Sequence, residues 1–179
     1  MKVGILQNRR NQVDKTTFIG VLIMSIEKVR EYFKQYGMED KILEFPVSSA
    51  TVELAAQALN CEPCRIAKTL SFSVNDTPIL IVTAGDAKID NKKYKAFFGT
   101  KANMLSLDEV TEKIGHAVGG VCPFAVNDGV KIYLDVSLKR FETVFPACGS
   151  SNSAIELTPL QLEQYSSYLE WIDVCKIPE

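Results

Sequence analysis

Apolar residues recur at helical spacing from residue 26 onward. Ile26, Val29 and Phe33 share one face of a predicted helix, for which Ser25 is a good N-cap and Gly37 an end signal. We therefore expect an amphipathic helix that begins at residue 26 and packs one face on a core.

Later segments alternate between helical and strand periods. Cap and stop residues predict helices over residues 52–59, 63–67, 91–98, 107–114 and from 158 onward. Apolar runs between turn residues predict strands over 42–47, 69–74, 79–83, 130–135, 143–147 and 154–157, with a hairpin of 69–74 and 79–83. Because strands and short helices interleave irregularly, we expect an α+β fold: one domain with a mixed central sheet flanked by short helices.

The first 23 residues lie before this succession of predicted helices and strands and do not fit it. Basic residues followed by the apolar run 18–24 superficially resemble a signal peptide, but Gly20 breaks the run and no small-residue cleavage site follows. The run is also too short to span a bilayer, which takes about 20 apolar residues. We expect residues 1–23 to be an extension outside a domain that covers residues 24–179, with no membrane partner.

Charge excludes one class of function. The chain has 179 residues, with 20 Lys and Arg against 22 Asp and Glu and a formal net charge of −2 at pH 7. A protein that grips nucleic acid by overall positive charge is therefore excluded, and any phosphate contact has to be local. The densest basic segment is either a nucleic-acid docking surface or an ordinary solvated helix face, and it contains Lys88, Lys92, Lys93, Lys95 and Lys101.

Five cysteines, an odd number, favour a reducing cytoplasm over a disulfide framework in a chain of this size. Cys61 and Cys64 form a C-x-x-C pair, which leaves a zinc or thiol protein as an alternative. No second pair follows, and the single histidine, His116, has no obvious catalytic partner nearby in sequence. We expect neither a metal nor a cofactor.

Two local features could carry chemistry. Lys68 stands where the predicted short helix meets an apolar strand, so it either directs its ammonium into a cleft or simply complements the helix dipole. Glycines 119 and 120 precede Pro123, a pattern that lets backbone N–H groups approach a ligand closely but also makes ordinary turns. Nucleotide-binding glycine fingerprints, a serine nucleophile elbow and an H-E-x-x-H motif are absent from the sequence.

Together, these features and their flanks form a more specific pattern. The segments are AAQAL at 55–59, RIAKTLSF at 65–72, TAGD at 83–86, VGGVCPF at 118–124, and Gly149 followed by IELTP at 155–159. In this order they resemble the YbaK/ProX-type aminoacyl-tRNA deacylases, which are related to the editing insertion of bacterial prolyl-tRNA synthetase. The resemblance covers the chain from residue 24 to the C-terminus.

The resemblance implies a hydrolase that cleaves the ester between transfer RNA and a wrong amino acid, chiefly proline tRNA carrying a small residue. It implies that the lysine engages the 3′-terminal nucleotide and that the glycine loop cradles the aminoacyl group. The implied catalytic residues are Lys68, Gly119, Gly120 and Pro123. The implied substrate-binding residues are Val121, Cys122, Ala147 and Gly149.

Physical chemistry agrees with such a site. An aminoacyl ester is already activated, so positioning, a located water and donors to the developing oxyanion suffice, and Cys122 is interpreted as pocket lining. Many relatives have Ser-Ala-Gly where this chain has Ala147-Cys148-Gly149. The missing hydroxyl favours alanine, 2-aminobutyrate or cysteine as the amino acid removed.

The partners implied are the acceptor end of an aminoacyl-tRNA and prolyl-tRNA synthetase. The alternative function is a non-catalytic module of the same fold that binds aminoacyl-tRNA or a synthetase without turnover.

Overall fold

The computed structural model of the protein describes residues 15–178, with side chains from residue 25 onward. The helices are α1 (Lys15–Lys34), α2 (Val52–Leu59), α3 (Asn91–Phe98), α4 (Leu107–Glu109) and α5 (Pro159–Ser166). The strands are β1 (Leu43–Glu44), β2 (Ile66–Val74), β3 (Thr77–Ala84), β4 (Lys88–Ile89), β5 (Lys131–Asp135), β6 (Phe145–Pro146), β7 (Ser153–Ala154), β8 (Glu170–Ile172) and β9 (Cys175–Lys176). Short 3-10 turns occupy Glu39–Lys41, Pro63–Arg65 and Val136–Arg140.

A five-stranded mixed sheet lies at the centre, in the order β6-β2-β3-β5-β8. Strands β2 and β3 form the predicted antiparallel hairpin, and its turn residues Asn75 and Asp76 have φ values of 48° and 62°. Positive φ at both turn residues matches the twist of the two strands. The other neighbours in this sheet pair in parallel. The predicted α+β class with a mixed sheet is confirmed.

Two small antiparallel pairs flank the central sheet. Strand β1 pairs with β7, and β4 pairs with β9 near the C-terminus. The sequence predicted β1, β6 and β7 as longer strands and did not predict β4, β8 or β9. Strands of two or three residues have too few positions to display an alternating pattern, so only their tertiary partners define them.

The core forms between the central sheet and the helices. Strand β3 is buried on both faces at Leu80, Ile81 and Val82. From α1, Val29 and Phe33 are fully buried, and the Phe33 ring lies 4.8 Å from that of Phe124. The predicted inward face of α1 is therefore confirmed.

The predicted start of this helix is wrong. Helix α1 begins at Lys15 rather than residue 26, and Ser25 lies inside it, where its hydroxyl accepts the N–H of Ala117 at 3.2 Å. Gly20 does not stop the helix, because a single interior glycine costs only about 1 kcal/mol. Residues 1–14 lie outside the described residues, and the assignment of 1–23 to an extension stays a prediction. Within the described part of the chain, no helix is long and apolar enough to cross a membrane.

Local capping signals were reliable elsewhere. The Thr51 hydroxyl caps α2, the Asp90 carboxylate caps α3, and Thr158 forms a capping box at α5. The helix predicted over 107–114 is present as α4 followed by a π-helical turn, Val110–Ile114. The helix predicted over 63–67 is wrong, since Pro63–Arg65 makes only one 3-10 turn before β2 begins at Ile66.

Candidate active site

A cleft of about 330 Å³ opens where four distant segments meet. The walls come from the start of α2, from β2, from the loop before Pro123 and from the β6–β7 region. The lining residues are mostly small or apolar, and they include Ala50, Ala55, Val121, Phe145, Ala147 and Ala154. Of the described residues that line the cleft, only Lys68 carries a charge.

Lys68 lies inside β2, opposite Thr83 of β3, and not at a helix end as one interpretation of the sequence had it. Its ammonium donates hydrogen bonds to the carbonyl oxygens of Gly85, at 3.0 Å, and Ala87. An ammonium has three N–H donors, so one remains for a ligand in the cleft. Burial lowers the pKa of Lys68, although the group is only partly enclosed.

The turn that holds the ammonium is itself braced. A Cβ at Gly85 would lie 2.0 Å from the carbonyl oxygen of Pro63, so only glycine fits there. Asp86, between the two carbonyls that bind Lys68, accepts two hydrogen bonds from the Arg140 guanidinium, one of them at 3.1 Å. Asp86 belongs to the TAGD segment of the sequence pattern, but that pattern indicated no role for Asp86 or for Arg140.

The glycine loop presents alternate residues to the cleft. Gly119 and Val121 line the cleft, whereas Gly120 and Cys122 are buried behind it. The N–H of Gly120 donates to the carbonyl of Ala117 at 3.0 Å, and the N–H of Cys122 donates to Nδ1 of His116 at 3.3 Å.

The N–H groups of Gly119 and Val121 have no acceptor among the described residues. Two unpartnered N–H donors on one cleft wall are suited to bind a carbonyl oxygen that gains negative charge.

A side chain is disfavoured at Gly119, Gly120 and Gly149 for a different structural reason at each position. Gly119 has a φ of +86°, and a Cβ there would lie 3.1 Å from that of Ala50. A Cβ at Gly120 would lie 2.5 Å from the backbone of Gly149 and Ser150. Gly149 has a φ of +87°, donates to the carbonyl of Gly120 at 3.0 Å and leaves no room for a Cβ against Ser25. Gly120 and Gly149 therefore support the loop from behind, while Gly119 faces the cleft.

Cys122 does not line the cleft as the sequence suggested. It is fully buried, and its thiol lies 3.7 Å from Nδ1 of His116 and 3.8 Å from the carbonyl oxygen of Phe124. The loop turns this side chain inward because Val121 takes the outward position. Pro123 is buried as well and carries the chain from the loop into the core.

His116 and Cys122 are in contact, a pairing that their sequence positions did not reveal. Burial raises the pKa of the Cys122 thiol to about 12 and lowers the pKa of the His116 imidazole to about 4. Both groups are therefore neutral near pH 7. Since Nδ1 of His116 accepts the Cys122 N–H, the neutral ring carries its proton on Nε2. The contact has the hydrogen bonding of a structural pair and not of an activated thiolate.

The predicted basic segment is exposed and lies outside the cleft lining. Lys88 is on β4, and Lys92, Lys93 and Lys95 are on α3. The Lys93 ammonium binds the Asp173 carboxylate at 2.7 Å and the Cys175 carbonyl at 2.9 Å, so its charge, unlike that of Lys68, is already paired with a carboxylate.

Cys61 and Cys64 are half-buried free thiols near α2. In the described residues, no three or more His, Cys, Asp or Glu side chains group together as metal ligands would.

Sequence comparisons match this chain to an aminoacyl-tRNA editing domain and to proline–tRNA ligases. A family model described as "Aminoacyl-tRNA editing domain" matches residues 47–165. The chain is 58% identical over 154 residues to "Uncharacterized protein YwhH" of Bacillus subtilis, covering 86% of this chain and 98% of that protein.

More distant relatives are ligases. The chain is 27% identical over 145 residues to a proline–tRNA ligase of Thermosipho melanesiensis, covering 80% of this chain and 25% of the ligase. It is 29% identical over 132 residues to the ligase of Aquifex aeolicus, covering 72% of this chain and 23% of the ligase. The chain thus spans about a quarter of the length of these ligases.

A solved structure agrees in fold. The crystal structure of "a putative trans-editing enzyme for prolyl tRNA synthetase" superposes with a TM-score of 0.76 at 28% identity. The superposition covers 85% of this chain and 97% of that one.

Proposed function

This chain belongs to the aminoacyl-tRNA editing domain family, and on that premise we propose that it hydrolyses the ester bond of mischarged aminoacyl-tRNA. One observation carries the proposal: a single cleft combines the spare donor of Lys68 with the unpartnered N–H groups of Gly119 and Val121. The lysine can hold a phosphate while the loop holds the ester carbonyl in the same cleft.

The reaction needs little from the protein besides placement. A water molecule adds to the carbonyl carbon, and negative charge grows on the carbonyl oxygen, where the two N–H groups of the loop donate hydrogen bonds. The bond from the carbonyl carbon to the ribose oxygen then breaks, and the proton lost by the water goes to that oxygen. Free amino acid and uncharged transfer RNA leave. Lys68 anchors the phosphate of the terminal nucleotide by a charge-assisted hydrogen bond and fixes the ester against the loop.

The substrate that we propose is proline tRNA carrying alanine, 2-aminobutyrate or cysteine. The β6–β7 region contributes two small apolar residues to the cleft lining, Ala147 and Ala154. A synthetase pocket gains only about 1–3 kcal/mol from one methylene, so a proline pocket cannot strongly reject smaller amino acids. Prolyl-tRNA synthetase, the source of such errors, is the protein partner that this substrate implies.

Thiol catalysis by Cys122 is the chemical alternative. The burial of this thiol and its pKa of about 12 keep it protonated near pH 7, and it lies behind the loop that lines the cleft. These observations favour water as the nucleophile. The non-catalytic binding module is the functional alternative, and only turnover distinguishes it.

The test is the release of amino acid from alanyl-tRNA(Pro) by the purified protein. Lys68→Ala should lower kcat/KM about 10- to 100-fold, the usual worth of a hydrogen bond to a charged group, and Lys68→Arg should restore part of it. Cys122→Ser should keep most of the activity. Binding without turnover by the wild type would make the protein a binding module, and a trapped acyl-enzyme lost in Cys122→Ser would establish thiol catalysis.

A further inference from the structure

The short ribbon of β4 and β9 places two lysines directly opposite each other. Lys88 and Lys176 are paired positions in its antiparallel register, and both side chains are exposed. Like charges at directly opposite positions destabilise a sheet. Neither lysine forms an ion pair within residues 25–178.

The acidic residues around this ribbon already have partners. Asp86 is bound by Arg140, and Asp173 is bound by Lys93. Asp90 accepts the N–H groups of residues 92 and 93 at 2.8 and 3.1 Å as the cap of α3. The pKa of Asp90 is lowered chiefly by these backbone hydrogen bonds and also by the charge of Lys176, so this carboxylate partly offsets the charge of the ribbon without forming an ion pair with either lysine.

The ribbon lies beside the candidate active site. Strand β4 begins directly after Ala87, whose carbonyl oxygen accepts a hydrogen bond from Lys68. Lys88 is near enough that its charge adds to the effect of burial in lowering the pKa of Lys68. The ribbon is outside the cleft lining, but it begins one residue after the carbonyl that holds the Lys68 ammonium, so a polynucleotide whose last phosphate is held by Lys68 would lie near it.

We propose that Lys88 and Lys176 together bind a backbone phosphate of the single-stranded acceptor end of the aminoacyl-tRNA. This proposal rests on the proposed function. One phosphate between the two ammonium groups would replace their repulsion by two attractive contacts, which gives the like charges at these opposite positions a role. It also assigns a role to the C-terminal strand, which the sequence did not predict.

The proposed phosphate-binding residues differ from the basic segment that the sequence suggested. They include Lys88 from that segment and Lys176 from outside it, but not Lys93, which is paired with Asp173. RNA is favoured over an acidic protein surface because the ribbon is close to Lys68, the one charged side chain among the described residues that line the cleft.

The decisive variant is Lys88→Gln with Lys176→Gln, compared with Lys131→Gln as the matched control. Lys131 is an exposed lysine on β5, opposite Ile79 at the far end of β3 from Lys68, and it has no ion pair within residues 25–178. The double variant should melt at the same or a slightly higher temperature than the wild type, since it loses a repulsive pair. If it fails to fold, the single variant Lys88→Gln is used instead.

Two measurements test the proposal. Binding of uncharged transfer RNA should weaken about 10-fold in the double variant, and the slope of log affinity against log salt should fall by about 1, while Lys131→Gln matches the wild type. With mischarged transfer RNA, KM should rise and kcat should stay near the wild-type value.

Unchanged affinity and slope would overturn the proposal, and so would an equal loss on a minimal aminoacyl-adenosine ester, which has no such phosphate. A loss of synthetase binding with transfer-RNA binding unchanged would assign the ribbon to a protein partner and would also overturn it. Uncharged transfer RNA reports on the ribbon whether or not the wild type hydrolyses esters, so failure of the proposed function is recognised separately by the absence of turnover in the wild type.

Discussion

The buried imidazole of His116 helps to orient the glycine loop of the candidate active site. Because Nδ1 of His116 accepts the N–H of Cys122, the loop is fixed with Gly119 and Val121 toward the cleft. Sequence reasoning singled out the loop and Lys68 by their local pattern. It could not find the contact of His116 with Cys122, because that contact depends on how the loop folds back on itself and leaves no periodic signal. For the same reason it assigned Cys122 to the wrong side of the loop.

The pH dependence of stability should report this histidine. The pKa of His116 is about 4 in the folded chain, against about 6.5 when unfolded, so between these values the unfolded state binds more protons. Stability should therefore be full above pH 6.5 and fall as pH decreases toward 4, by at most about 1.4 kcal/mol per pH unit. The measurement is urea unfolding at pH 7, 6 and 5.

His116→Gln is the control, since it keeps an acceptor for the Cys122 N–H but does not titrate. The chain contains one histidine, so no second imidazole contributes in this range. The pKa of Glu109 is lowered to about 2, chiefly by Lys113, and therefore affects stability only below its unfolded value of about 4.5. A wild-type protein with flat stability from pH 6.5 to 5 would contradict the buried neutral state of His116.

At the scale of elements, the sequence predicted the helices and strands whose ends are set by neighbouring cap or turn residues. Helices α2, α3 and α5 carry their own caps, and the hairpin of β2 and β3 carries its own turn. The two-residue strands were missed or drawn too long because hydrogen bonds to a distant partner define them. Helix α1 was begun too late because Ser25, a good cap in isolation, serves Ala117 instead.

The N-terminal part of α1 is a testable element. The described contacts of this helix with the core include those of Ser25, Ile26, Val29, Tyr32 and Phe33. A chain that starts at Met24 keeps all of them, so it should melt near the full-length temperature and keep its deacylation rate. A chain that starts at Arg30 loses two buried apolar residues and the Ala117 acceptor, and should be destabilised by several kcal/mol. Loss of folding in the Met24 version would show that residues before 24 belong to the domain.

At the scale of the whole molecule, the cleft depends on the tertiary fold. Its lining comes from residues as far apart as Ser49 and Ala154, and all four wall segments belong to different elements or loops. No contiguous stretch of sequence contains the site, which is why its residues could be named from motifs while its shape could not. A ligand that contacts these walls together binds only the folded chain, because only folding brings the four segments to one place.

Ligand binding should consequently stabilise the entire domain. A non-hydrolysable analogue, adenosine 5′-monophosphate carrying a 3′-alanylamide, should add about 2.7 kcal/mol at 100 times its Kd. For a domain of this size that corresponds to a rise in Tm of about 5–10 °C. The measurement is a thermal melt followed by circular dichroism, and Lys68→Ala should shift the same analogue's effect to higher concentrations because the phosphate loses its cation. The same analogue without the phosphate should respond less to this substitution, since Lys68 has nothing to hold. If calorimetry shows the analogue bound at saturation and Tm does not move, the unfolded chain binds the analogue as well as the folded chain does, and the binding site cannot be this cleft.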